Sequence, residues 1–432
     1  MRLINIASVL GGAAIVVANP VAEKFQRDEP ATNNTVVQII YECPKISPKV
    51  FIISMFSPEA DVWYENAERK GSIGNLLAKN ITVPGLSMLF PEVHCLADES
   101  VCQLTTGESE INAGTSIQAL MLSPQFNLTQ TYFMIAGIAG INPKHGTLGS
   151  IAFSKYAIQV ALQYEFDARE IPDNYSTGYI PLGSYAPEQY PTSIYGTEVF
   201  EVNEALRDVA VKFASNATYN SSSEAVAYRA NYASEERYAA ATTKPGVITC
   251  DVATSDVYYS GALLGEAFEN FTTLMTNGSG VYCMTAQEDN ATLEAMLRAS
   301  INGLVDFARI IVMRTGSDFD RPYHGESVEE NLFYAEQGGF EPAIQNIYIA
   351  GTSVVKGILG GWEDTFKAGV KPTNYIGDIF GSIGGEPDFG PGSSYGGEEV
   401  DLSQVGISKR AAMGRSRRTM KGKRGLPGVR RS

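Results

Sequence analysis

The sequence predicts an α/β protein, a sheet with helices on both of its faces. Two observations predict it. Short apolar runs bounded by turn formers alternate with longer segments whose apolar residues recur at helical spacing. With 432 residues, 44% of them hydrophobic and 19% charged, the chain can also bury a large core.

In chain order, the first strand is "KVFIISMF", Lys49 to Phe56, which ends at Ser57-Pro58-Glu59. "EADVWYENA" starts a helix, with Ser57 as its expected N-cap. Cys102 to Leu104 forms a strand stub before Gly107, and "INAGTSIQALMLS" a helix. "TYFMIAGIAGINP" reads as a strong strand with a Gly-rich turn from Gly137 to Pro143. "GSIAFSKYAIQVALQYEFD" is strand material. Ala168 to Tyr195, rich in Tyr, Pro, Ser and Gly, is expected to be a loop or lid. "EVFEVNEALRDVAVKFASNA" has helical apolar spacing. The alternation continues with the strand and polar turn "VITCDVATSDVYYSG", the helix "ALLGEAFENFTTLM" and the strand "GVYCMTAQE". The helix "ATLEAMLRASINGLVDFA" and the strand and turn "RIIVMRTGSDFDRP" complete it.

The ends of the chain differ in character. Met1 to Ala18, "MRLINIASVLGGAAIVVA", has a basic residue, an apolar run and small residues at its exit, and is expected to be a signal peptide; a membrane anchor is the alternative. Residues 19–47 form a flexible lead-in, 48–392 the folded domain, and 393–432 a Gly/Ser linker with a basic tail. Apart from the first segment, no run of roughly 18 apolar residues occurs, so no membrane-spanning body is expected. Nine N-x-S/T sequons, at Asn33, Asn80, Asn127, Asn174, Asn216, Asn220, Asn270, Asn277 and Asn290, agree with a secreted or cell-surface location. Five cysteines permit two disulfides and a free thiol. Cys95 and Cys102 are close enough to close a small loop, and Cys250 and Cys283 fall on strands. With three histidines and no C-x-x-C, the chain offers little material for a zinc site, and no metal or cofactor is expected.

The formal charge is −15, yet ten of the 33 basic residues follow Ile407 with no acid among them. The remainder carries 23 basic against 48 acidic residues, which does not suit nucleic-acid binding. The tail reads either as a contact for an anionic surface, as a processing site at Lys409-Arg410 or Lys423-Arg424, or simply as a solvated extension.

Ligands of open α/β sheets bind beyond the carboxyl ends of the strands. The residues there are Glu59, the Gly137–Asn142 turn, Asp256, Tyr258, Glu288, Asp318 and Asp320. Several carboxylates in one crevice suit acid/base chemistry on a sugar-like substrate, because their surroundings can separate their pKa values. Each also has a plainer explanation as a turn or capping residue. Glu288, for example, is equally placed as a helix-start charge.

Four segments add a resemblance. Gly137-Ile138-Ala139-Gly140, "SDVYYSG", "AQEDNATLEA" and "MRTGSDFD" resemble, in order, motifs of the nucleoside phosphorylases and nucleosidases. "IISMFSPEADVW", "CQLTTGESEIN", "VALQYEFDAREIP", "CDVATSDVYYSG", "TAQEDNATLEA", "MRTGSDFDRP" and "NYIGDIFGSIGG" resemble the fungal purine nucleoside permease family over roughly Pro48 to Gly392. The resemblance implies a nucleoside phosphorylase-like mixed sheet flanked by helices. It also implies ligands of the adenosine, guanosine and inosine class, and a homo-oligomer. The family name implies transport while the superfamily implies N-glycosidic cleavage, so hydrolysis, phosphorolysis and binding alone all stay open. A single apolar helix cannot line a pore, so any part in uptake would be indirect.

The resemblance implies a role for each site residue. Glu288 would accept hydrogen bonds from the ribose 2′- and 3′-hydroxyls, over Gln287, which departs from the family's Met. Asp318 would protonate purine N7, with Asp320 as the competing acid. Tyr258, Tyr259 and the backbone of Gly137, Ala139 and Gly140 would wall the base. Glu59 would position or deprotonate a water where phosphorylases place an Arg, although Arg314 could still supply a phosphate site. A glycan on Asn290 would crowd this pocket, so that sequon is expected to be buried and unmodified.

Overall fold

A computed structural model describes residues 44–389. The segment expected to be a signal peptide, the lead-in through Cys43, the sequon at Asn33 and everything from Gly390 onward lie outside the described residues. The chain divides into two units, Met1–Lys45 and Ile46–Ser432, and every element below belongs to the second.

The first strand, β1 (Val50–Ser54), is buried along its whole length. It feeds α1 (Ser57–Glu65), where Ser57 is not the cap: Phe56 holds that position without a side-chain cap, and Pro58 sits in the first turn, where a missing N–H costs nothing. A small antiparallel edge follows, with β2 (Lys79–Thr82), β3 (Glu92–Cys95) and β4 (Val101–Thr105). Cys95 and Cys102 face each other across β3 and β4 and are disulfide-bonded. Next come α2 (Glu110–Leu122) and β5 (Tyr132–Ile141). β5 runs straight through Gly137–Gly140, so the expected Gly-rich turn is strand instead.

The strand material that follows divides into β6 (Ile151–Ser154), β7 (Tyr156–Gln159) and β8 (Gln163–Glu165); β9 (Tyr179–Pro181) pairs with β8 in a separate two-stranded sheet. The helix expected from Glu198 begins later. Its first residues form β10 (Val199–Glu201), and α3 (Glu204–Ala214) starts only after Asn203, whose side chain accepts from Leu206 N at 3.2 Å. Beyond α4 (Ser223–Arg229) lie β11 (Val247–Thr249), β12 (Asp251–Thr254), α5 (Ala262–Met275) and β13 (Tyr282–Ala286). A second disulfide joins Cys250 to Cys283. α6 (Asp289–Ile301) ends at Asn302, before Gly303 with φ +69°, rather than continuing to Ala308. β14 (Ile310–Phe319) takes in the expected turn at Ser317-Asp318. α7 (Val328–Phe333), the 21-residue α8 (Phe340–Gly360) and the short β15 (Gly377–Asp378) complete the fold, and sequence reading had assigned none of the three.

Thirteen strands form one mixed sheet, in the order β15-β10-β7-β12-β13-β5-β1-β4-β3-β2, with β14, β6 and β11 branching from β5. β5 is the hub. It runs parallel to β1 and β14 and meets β13 antiparallel at its Gly140–Ile141 end. Side chains alternate along these strands, so each strand serves two cores. Phe51, Ile53, Phe133, Ile135 and Val312 pack with Ile117 of α2 and Leu293 of α6. Val50, Ile52, Tyr132, Met134 and Ile311 pack on the opposite side with Trp63 of α1, Leu206 of α3 and Ile347 of α8. At about 1.5–3 kcal/mol for each fully buried large apolar side chain, these two layers are the main stabilising term. The predicted α/β architecture, a mixed sheet flanked by helices, is therefore the observed one. Among the described residues, no helix is long and apolar enough to cross a membrane.

Candidate functional site

A cavity of about 710 Å³ opens at the carboxyl ends of β5, β13 and β14. That volume lies within the usual range for sites that bind small molecules. Glu59, Ala139, Gly140, Tyr258, Tyr259, Gln287, Glu288, Asp318 and Asp320 all line it, so residues far apart in sequence meet here. Gly137 does not line it, and Asp256 does not either. No residue of the expected Ala168–Tyr195 lid reaches it. A further wall comes from Ser222, Glu224 and most of the segment Asn331–Glu341.

Glu59 sits in the first turn of α1, where the helix dipole favours an acid. It is 1% exposed, and its carboxylate is held at both oxygens: Oε2 accepts from Met55 N and Oε1 from Ile138 N, each at 2.7 Å. Burial pushes its pKa up to about 8, against the opposing pull of Arg314. Gly137 belongs to this arrangement as structure rather than as base wall. A Cβ there would stand 2.6 Å from Nη1 of Arg314 and 2.7 Å from Oε1 of Glu59, so only glycine lets both side chains reach the strand. Gly137→Ala is therefore expected to displace Glu59 and to lower stability by about 1–3 kcal/mol, as over-packing does. Urea unfolding would measure this, and an unchanged midpoint would mean that the two side chains move aside freely.

Glu288 occupies the N-cap position of α6 without capping it. Its Oε1 accepts from Ser109 N at 2.9 Å and its Oε2 from Nη2 of Arg314 at 3.1 Å. Each oxygen keeps a further lone pair, enough for two hydroxyls of a vicinal diol. Burial raises its pKa, with Arg314 opposing. Ser109 has φ +81°, a conformation that costs a non-glycine residue about 1–3 kcal/mol and is typical of functional sites. Asp256 holds it there. Asp256 accepts from Ser109 Oγ at 3.0 Å and from Glu110 N at 2.9 Å, and so works at the start of α2, outside the cavity.

Arg314 is the residue whose role the sequence concealed. It is 1% exposed in the middle of β14. Nη2 donates to Asp289 at 2.5 Å and to Glu288, Nε reaches Asp289 at 3.4 Å, and Nη1 donates to Ile138 O at 3.1 Å. Burial alone would lower the guanidinium, but Asp289, Glu288 and Glu59 together hold its pKa above the usual value. Four of its five N–H groups are thus taken, which leaves little to offer a phosphate. One sequence signal existed: an Arg inside an apolar strand requires buried acidic partners, and Glu288-Asp289 was the candidate pair.

Asp318 owes its direction to an irregularity. The register between β14 and β5 shifts between Gly316 and Asp318, which leaves Ser317 as the extra residue and places Asp318 opposite Gly140. Its side chain opens into the cavity, 3.4 Å from where a Cβ on Gly140 would be. Desolvation by the surrounding walls raises its pKa, with the Ser317 contact opposing. Ser317 Oγ lies 3.0 Å from Ala139 O and 2.6 Å from Asp318 Oδ1. A hydroxyl has one hydrogen, so both contacts are met at once when Ser317 donates to the carbonyl and a protonated Asp318 donates to Ser317.

The competing acid is committed elsewhere. Asp320 is 2% exposed, accepts from Nε and Nη2 of Arg321 at 2.7 and 2.8 Å, and takes a further bond from Tyr282 Oη at 2.5 Å. Of the two tyrosines, Tyr258 is 73% exposed at the mouth. Tyr259 turns inward, with its hydroxyl 3.0 Å from Tyr282 Oη and its ring edge-on to Phe268. Gln287 donates to Asp256 O at 3.3 Å. Asn290 is 1% exposed and donates to Thr197 O at 2.7 Å, so its side chain is buried, as expected. Among the described residues, no group of three or more His, Cys, Asp or Glu is arranged to hold a metal.

The family model described as purine nucleoside permease matches residues 47–371. A purine nucleoside permease of Candida albicans is 46% identical over 370 residues, which covers 84% of this chain and 88% of that protein. A probable purine nucleoside permease of Schizosaccharomyces pombe is 40% identical over 324 residues, covering 73% and 90%. Among solved structures, a 5′-methylthioadenosine/S-adenosylhomocysteine nucleosidase from Neisseria meningitidis aligns with TM-score 0.41 at 14% identity, covering 72% of this chain and 99% of that one. A futalosine hydrolase of Helicobacter pylori aligns with TM-score 0.43 at 12% identity, covering 72% and 97%.

Proposed function

The chain belongs to the purine nucleoside permease family, and from that premise we propose that it binds purine nucleosides in the Glu59–Glu288–Asp318 cavity and hydrolyses their N-glycosidic bond. One observation carries the reading: three acids converge on a cavity whose basic side chain, Arg314, is already engaged by acids. Such a site suits a neutral polyol on which positive charge develops, and it does not suit an anionic nucleophile.

In the proposed step Glu288 accepts the 2′- and 3′-hydroxyls and fixes the ribose. Asp318 gives its proton to purine N7 as the C1′–N9 bond breaks and the bonding pair leaves with the base. A water forms the new C1′–O bond and its proton passes to ionised Glu59. Positive charge growing on the sugar beside Glu59 favours the ionised form that the step requires. Tyr258 and the Ala139–Gly140 backbone would cover the base.

A second reading has its own support. Because burial lifts Glu59 to about 8, it carries a proton near neutrality in the free protein. That favours a protein that binds nucleoside for uptake without cleaving it. Base release from adenosine, guanosine and inosine, measured with and without phosphate, separates the readings. Release without phosphate is expected; release only with phosphate would mean phosphorolysis, and binding without release would mean a binding protein.

Secretion is part of the same proposal. The sequons Asn80, Asn127, Asn174, Asn216, Asn220, Asn270 and Asn277 are all exposed, and two disulfides join the strands, which supports an oxidising compartment.

A further inference from the structure

We infer that the cavity admits uncharged and cationic purine nucleosides and rejects nucleotides, because an acidic rim, Glu108, Glu224, Glu336 and Glu341, stands over a floor with no basic group left to receive an anion. This inference rests on the nucleoside reading above and narrows its substrate class.

All four rim glutamates line the cavity and are exposed. Glu224 is held by Ser223 Oγ at 3.1 Å and Glu341 by Gln345 Nε2 at 3.0 Å, partners that leave both charges uncompensated. On the floor Glu288 is already paired with Arg314 and Asp320 with Arg321, and Glu59 and Asp318 are acids that offer an anion no partner. Arg314 is the one basic side chain lining the cavity among the described residues, and Glu288 and Asp289 already share it. A 5′-phosphate brings a charge of about −1.5 to −2, and at the mouth it meets the rim carboxylates with no unengaged basic side chain in the lining to compensate it. Low-dielectric walls focus such a field, and the rim lies within about one Debye length of anything entering the mouth. The same field would draw in a cationic ligand. It follows that a phosphomonoester hydrolysis must supply the substrate wherever the source is a nucleotide.

Calorimetric titration of the wild-type protein with adenosine, adenosine 5′-phosphate and 5′-amino-5′-deoxyadenosine tests this at low and at high salt. Adenosine is expected to bind about 10- to 100-fold more tightly than its 5′-phosphate at low salt, with the gap narrowing at high salt. The amino analogue should bind at least as tightly as adenosine. In the triple variant Glu224→Gln, Glu336→Gln, Glu341→Gln the ratio of adenosine to phosphate affinity should fall several-fold. Equal affinities in the wild-type protein, or a ratio unmoved by the triple variant, would overturn the inference while leaving the nucleoside reading standing. Failure of all three ligands to bind would overturn that reading and the inference with it.

Discussion

Glu288→Ala is expected to slow base release from adenosine by about 10²–10⁴-fold, the loss that follows from removing two hydrogen bonds to a charged acceptor at about 1.5–3 kcal/mol each. Both oxygens of Glu288 are oriented before any ligand arrives, by Ser109 N and by Arg314. The sugar therefore meets an acceptor pair that needs no reorganisation. If the 2′- and 3′-hydroxyls are its partners, 2′,3′-dideoxyadenosine should be a poor substrate of the wild-type protein and should lose little more in the variant. Glu288→Gln is the control for folding, since it keeps an acceptor for Ser109 and removes the charge. A variant that turned over adenosine near the wild-type rate would return Glu288 to a helix-start charge. The α/β fold would stand and the proposed site would not.

Why the sequence showed part of this site and hid the rest follows from particular residues. Alternating apolar runs made the strands visible because each buries two faces, as Phe51 and Ile52 do in opposite cores. Glu59, Glu288 and Asp318 could be found because each lies where a strand delivers its chain to the cavity. Gly137 and Gly140 misled, since glycine marks turns far more often than it marks the close approach of side chains to a strand. Asp318 was placed on a turn for the same reason. Nothing local announces that the register slips at Ser317 and turns the next side chain into the cavity. Asp256 and Asp320 show the opposite limit. Their residue type suited the site, but the hydrogen bonds of Asp256 go to the start of α2, far away in sequence, and those of Asp320 to its neighbour Arg321. The wall from Asn331 to Glu341 came from a region with no assigned element, while the Tyr-rich segment read as a loop or lid adds no residue to the lining, and its Tyr179 packs on Phe268 beside Tyr259.

The stability of the protein should fall as pH rises from about 4.5 to about 8, and Glu59→Gln should remove much of that dependence. The sign follows from linkage. Glu59 has a folded-state pKa of about 8 against 4.5 when unfolded, so between those values the folded state binds the extra proton. Its contribution to stability is complete below pH 4.5 and is lost as pH rises through 8. A shift of that size corresponds to roughly 4–5 kcal/mol for a sealed group. Denaturant unfolding at a series of pH values reads the difference in slope between wild type and variant, so any uniform cost of the substitution drops out. Parallel pH dependences in the two proteins would show that Glu59 titrates normally. The same ionisation has a kinetic side. If Glu59 takes the proton of water, kcat/KM for adenosine should climb toward a limb near pH 8, where the protein has given up that stability. The ionised carboxylate that the proposed reaction requires is thus the form the fold disfavours. Gly137, Ile138 N and Met55 N hold it in place despite that cost. A kcat/KM that is flat or falling between pH 6 and 8 would leave Glu59 in the protonated form throughout, and would move the balance toward a nucleoside-binding protein.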